Sequence, residues 1–68
     1  MEFHKRIREL RKELNEPQTK AAEAIGITLR QYQRFEKGEQ KPGFDNLCAM
    51  ADHFGVTLDY LMCRTDER

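Results

Sequence analysis

One short stretch, Gly26-Ile27-Thr28-Leu29-Arg30-Gln31-Tyr32, constrains the fold more than any other part of the sequence. Thr28 followed three residues later by Gln31 is a capping box. The threonine oxygen accepts from the Gln31 backbone N–H, and the glutamine side chain reaches back to the N–H of Thr28. Ile27 before the cap and Tyr32 after it add a hydrophobic staple. A helix beginning at Leu29 is therefore specified locally, and Gly38 stops it after Lys37. Gly26 can end a preceding helix in the left-handed conformation, so two helices meet across a three-residue turn containing glycine.

The rest of the chain falls into helices by the same reasoning. Phe3, Ile7, Leu10 and Leu14 form one apolar stripe of an amphipathic helix over roughly residues 2–14. Asn15-Glu16-Pro17 interrupts it, because proline is tolerated in a first turn but not in a helix interior. A second helix is predicted from about Pro17 to Ile25, with Ala21, Ala22 and Ile25 inward. After a polar loop at 40–43, Phe44, Leu47, Cys48, Ala51 and Phe54 repeat at helical spacing and predict a fourth helix, closed by Gly55. Thr57 caps a short fifth helix over Leu58 to Met62. With no β pattern, repeat or low-complexity segment, the expectation is an all-α, compact five-helix domain filling residues 1–68, with a helix-turn-helix at helices two and three.

Size and charge narrow the function. Sixty-eight residues bury only about 60% of the unfolded surface, too little to frame a deep catalytic cleft. No apolar run reaches the roughly 18–20 residues of a membrane span, and no signal peptide is visible, so a cytoplasmic location is expected. The 12 Lys/Arg balance the 12 Asp/Glu. Ten of these cations but only seven of the acids lie in residues 1–43, leaving +3 there and −3 in residues 44–68. A nucleic-acid partner would therefore be met by a local basic stripe rather than by a global field. Cys48 and Cys63 lack a CxxC pairing, and with His4 and His53 they do not make a zinc ligand set. Cys48 is expected to be a small buried hydrophobe, and His4 and His53 to be surface side chains on helices. No Ser/His/Asp arrangement, phosphate-binding glycine loop or metal cluster is present. Neither an enzyme nor a cofactor is expected.

On a helical wheel at about 100° per residue with Thr28 at zero, Tyr32 and Phe35 fall near 40° and 340° and mark the buried face. Arg30, Gln33, Arg34 and Lys37 fall at about 200°, 140°, 240° and 180°, a contiguous outward stripe with no acidic member. Arg suits guanine edges and Gln suits adenine. An exposed helix face is often only solvated. Its place on the second helix of a helix-turn-helix, where docking requires such a face, turns this stripe toward a DNA major groove.

In Arg6-Ile7-Arg8-Glu9-Leu10-Arg11, in Gln18, Ala22 and Ile25-Gly26-Ile27-Thr28, and in Phe35-Glu36-Lys37-Gly38, the chain resembles the Cro/C1-type (lambda-repressor-like, XRE-family) helix-turn-helix domain. Pro42, Leu47, Ala51 and Phe54-Gly55-Val56-Thr57-Leu58-Asp59-Tyr60-Leu61 continue the likeness. The resemblance implies a sequence-specific DNA-binding transcriptional regulator, a repressor, reading the major groove with helix three. It places base reading on Leu29, Arg30, Gln33 and Arg34, and phosphate contacts on Gln18, Thr28, Lys37 and Lys41. Leu29 either touches a thymine methyl or covers the edge of the core. Arg11 and Glu36 correspond to a structural ion pair between helices one and three. Two departures stand out: Pro17 replaces a capping Ser or Thr, and Glu16 replaces an apolar residue, implying a looser corner between helices one and two.

Leu58, Tyr60, Leu61 and Met62 make the last helix apolar on more than one face. They either close the small core or leave Tyr60 and Met62 as an isologous dimer patch. A homodimer would match an inverted-repeat operator, with recognition helices about 34 Å apart. The rival reading is a protein-interaction module, an antitoxin or antirepressor partner, suggested by the zero net charge and acidic second half. The sequence shows no sensor domain before Arg68, so a signal is expected to act through a partner, abundance or proteolysis.

Overall fold

The computed structural model describes residues 1–68 as five helices: α1 (Phe3–Glu13), α2 (Gln18–Ile25), α3 (Leu29–Lys37), α4 (Phe44–Phe54) and α5 (Leu58–Leu61). The capping box at Thr28 is complete. Thr28 Oγ1 accepts from Gln31 N at 3.1 Å, and Gln31 Oε1 accepts from Thr28 N at 3.2 Å. Such a cap contributes about 1 kcal/mol. Gly26 closes α2 at φ 89° and Gly38 closes α3 at φ 77°. Around Gly26 there is room for a side chain, so glycine is needed there for its backbone alone. At Gly38 an added Cβ would also lie 3.1 Å from His4 Nδ1.

The helices enclose a single core of Ile7, Leu10, Ala21, Ala22, Ile25, Tyr32, Phe35, Met50, Ala51, Phe54 and Leu61. α3 packs on both α1 and α2, so its inner face is fixed by Tyr32 and Phe35, both fully buried. That seating aims its outer face at solvent. Truncating Ile7, which is wholly buried, to alanine is expected to cost about 2–5 kcal/mol.

Several expectations change. Pro17 is the cap of α2 rather than its first residue. It makes no side-chain capping bond, and the helix starts at Gln18. α1 ends at Glu13, Asn15 takes φ 52°, and Leu14 is exposed. On α4 the buried face is rotated toward Met50, which the spacing argument overlooked. Phe44 is left 72% exposed and Cys48 only half-buried. His4 and His53 are half-buried rather than on the surface. The corner between α1 and α2 is tied, not loosened: the Glu16 side chain is buried and its Oε2 lies 2.8 Å from His53 Nε2 on α4. Arg11 Nη1 also donates to the Glu16 carbonyl at 2.9 Å.

Candidate nucleic-acid interface

The outer face of α3 is built by exclusion. With Tyr32, Phe35 and Glu36 turned inward, the intervening positions must point out. The side chains of Arg30, Arg34 and Lys37 are exposed and make no intramolecular ion pair or hydrogen bond. Together with Gln33 they line one open depression that has no apolar wall. Glu39 lines it as well, a residue the wheel could not include because it lies beyond the Gly38 cap. The turn that places it is held by Glu39 N donating to the Arg34 carbonyl at 3.0 Å. Leu29 is 37% exposed at the start of α3. Lys41 is exposed in the loop before α4, where it borders a second, largely apolar depression with Phe3, Pro42, Leu47 and Met62.

Beneath this face lies a polar cluster. Arg11 Nε donates to Glu36 Oε2 at 2.7 Å and Arg11 Nη2 to Glu36 Oε1 at 3.2 Å. The Glu36 side chain is only 3% exposed. Burial by itself would raise its carboxyl, but the hydrogen bonds, Arg11's first among them, hold it below the usual carboxylate range. Arg8 Nη2 ties the same turn by donating to the Glu36 carbonyl at 3.1 Å. The neighbouring Tyr32 hydroxyl is buried without a partner of its own, and burial pushes its ionisation up.

Gln18 sits differently from the other residues assigned to phosphate. Its amide is already engaged, donating to Glu36 Oε1 at 3.0 Å and accepting from Gln33 Nε2 at 3.3 Å. Thr28 remains exposed at the start of α3, its oxygen serving the helix cap. Tyr60 is half-buried under the Arg6 guanidinium, 3.9 Å from its ring centre, whereas Met62 is 47% exposed.

Sequence reasoning missed Arg6. It is 4% exposed, donating to the Tyr60 carbonyl at 2.8 Å, the Thr65 carbonyl at 3.1 Å and Asp66 Oδ1 at 3.2 Å. Arg68 adds a contact to Glu13 on α1. The signal for Arg6 was its place beside Leu10 on the wheel, at the edge of the apolar stripe. No helix is long and apolar enough to cross a membrane, and no three metal-binding side chains converge.

Comparison with known proteins agrees with this geometry. A helix-turn-helix family model matches residues 7–61. The cryptic phage CTXphi transcriptional repressor RstR of Vibrio cholerae is 38% identical across 98% of this chain and 62% of its own length. The regulator YobD of Bacillus subtilis is 35% identical over 96% and 58%, respectively. The chain thus spans about three-fifths of the length of these relatives. Among solved structures, the P22 c2 repressor in complex with a synthetic operator superposes with a TM-score of 0.87 at 27% identity, covering 91% of this chain and 94% of that one. ComR from Streptococcus suis gives 0.80 at 28% identity, covering 96% of this chain and 22% of its own. With the match running from α1 through α5 and the capped turn at its centre, the chain belongs to the helix-turn-helix family, in its Cro/C1 type.

Proposed function

We propose that this chain is a sequence-specific DNA-binding domain of a transcriptional repressor, one domain over residues 1–68, that lays α3 in the major groove. The observation carrying this reading is that Arg30, Arg34 and Lys37 stand exposed and uncommitted on the outer face of a helix whose inner face is locked into the core. Arg30, Gln33 and Arg34 then meet base edges and Leu29 a thymine methyl, while Thr28, Lys37, Lys41 and Gln18 approach phosphates. The relatives support it: one is named a phage transcriptional repressor, and a close structural neighbour is a repressor bound to operator DNA. A cytoplasmic setting fits that role.

The domain acts as a homodimer on an inverted repeat, with half-sites about 34 Å apart. Met62, exposed beside Phe3, Pro42 and Leu47, is the centre of the pairing surface, and the half-buried Tyr60 is its other member. Selection from random duplexes at two salt concentrations tests the whole reading. An inverted repeat should emerge, with affinity falling as salt rises. A pool with no enriched motif would reject it. The exposed apolar side chains of Phe44 and Met62 favour, as a second reading, an antitoxin or antirepressor partner protein. Tight protein binding without a selected DNA motif would identify that role.

A further inference from the structure

The hydrogen-bonded chain Glu36–Gln18–Gln33 has a direction, and that direction reaches the outer face of α3. Glu36 is an ionised carboxylate, locked by two bonds from Arg11, so it can only accept. The Gln18 amide atom 3.0 Å from Glu36 Oε1 must therefore be its NH2 group. The amide's other end, its oxygen, is left facing Gln33 at 3.3 Å, and an oxygen there can only be met by the NH2 group of Gln33. One buried charge thus orders two amides that would otherwise be free to turn over.

Building on the major-groove reading of α3, we infer that Gln18 is a positioning residue that sets which way round Gln33 presents its amide, and so selects adenine over guanine at the base pair Gln33 faces. Once one Nε2 hydrogen is held by Gln18, Gln33 offers one acceptor, Oε1, and one remaining donor. Adenine presents the complement, an N6 donor beside an N7 acceptor. Guanine presents two acceptors, N7 and O6, so Gln33 Oε1 would face O6 with no hydrogen between them. A second Gln18 hydrogen stays available for a phosphate, so the two roles are compatible.

The test compares selected sites for the parent protein, Gln33→Met, Gln18→Leu and the double variant. The base pair read by Gln33 is the one whose preference disappears in Gln33→Met. At that pair the parent should select adenine, and Gln18→Leu should reduce the adenine-to-guanine ratio roughly tenfold. Preferences at pairs sensitive to Arg30→Ala and Arg34→Ala should persist. On the Gln33→Met background, Gln18→Leu should change no preference. A Gln18→Leu protein that binds every site more weakly but keeps the ratio makes Gln18 a phosphate contact only, which overturns the inference.

An arm with the unaltered protein does not depend on how well the variant folds. Replacing the selected adenine·thymine pair by hypoxanthine·5-methylcytosine keeps N7 and the methyl group but exchanges the N6 donor for an acceptor. Binding should weaken roughly tenfold, and unchanged binding, or guanine at that pair in the original selection, overturns the inference alone. A selection yielding no motif at all removes the major-groove reading as well.

Discussion

Arg34 and Lys41 carry the same charge but stand on different kinds of backbone, one on the outer face of α3 and the other in the loop leading to α4. Their substitutions should fail differently. Arg34→Ala is expected to cost about 1–3 kcal/mol at a selected site and to relax preference at one base pair. Lys41→Ala should weaken all duplexes alike and lower the slope of log affinity against log salt by about one. Fluorescence anisotropy across a salt series separates the two outcomes. An Arg34 variant that binds as tightly as its parent would remove it from base reading. At this scale the sequence was most legible on α3, because the capping box sets the helix phase and 3.6-residue geometry does the rest. It was least legible on α4. There Phe44 and Cys48 satisfy the apolar spacing, yet packing against α2 and α5 covers the face holding Met50. Spacing counts apolar positions, but which of them is covered depends on the neighbouring helix.

The element that most depends on its neighbours is α3, because Glu36 hangs its last turn on Arg11 of α1. Glu36→Gln is expected to destabilise the domain by about 3 kcal/mol, read from urea unfolding, since Arg11 would keep a charge without its partner. The pH dependence follows from the same pair. The folded carboxyl is held below its ordinary value of 4.5, so the folded state favours the ionised form. Its stabilising contribution is complete above about 4.5 and is lost as pH falls through the lower folded value. Between neutral pH and pH 3 the parent should lose stability more steeply than Glu36→Gln. Parallel curves would mean that Glu36 is not what couples protonation to unfolding. The family resemblance pointed to the Arg11–Glu36 pair. The extension through Gln18 to Gln33, and the bond from Glu16 to His53, were not legible. Both join residues that only become neighbours once α2 is placed beside α3 and α4.

For the whole molecule, five short helices leave little apolar area to spare, and the surface that remains uncovered is correspondingly informative. Tyr60 is stacked beneath Arg6 and braced by the returning segment at 65–68, so it is poorly placed to be removed as a test of self-association. Met62 is better placed. In the proposed homodimer, Met62→Glu should raise the dissociation constant at least roughly tenfold, by leaving a charge unpaired in the contact, without lowering the unfolding midpoint. Sedimentation velocity over a concentration range reads the first effect and thermal unfolding the second. An unchanged monomer–dimer balance would move the pairing surface elsewhere.

Glu39 stands in the same depression as Arg30, Arg34 and Lys37, in a chain whose formal charges cancel. Indiscriminate capture by bulk chromosome grows with the number of phosphates a protein neutralises, because each one releases a counterion. On the proposed reading, a carboxylate beside Arg30, Arg34 and Lys37, in a domain without surplus positive charge, would keep that capture weak. Few copies would then be held at random addresses, and low abundance would suffice to occupy the one whose edges match. Fidelity in such a molecule comes as much from declining the wrong addresses as from gripping the right one.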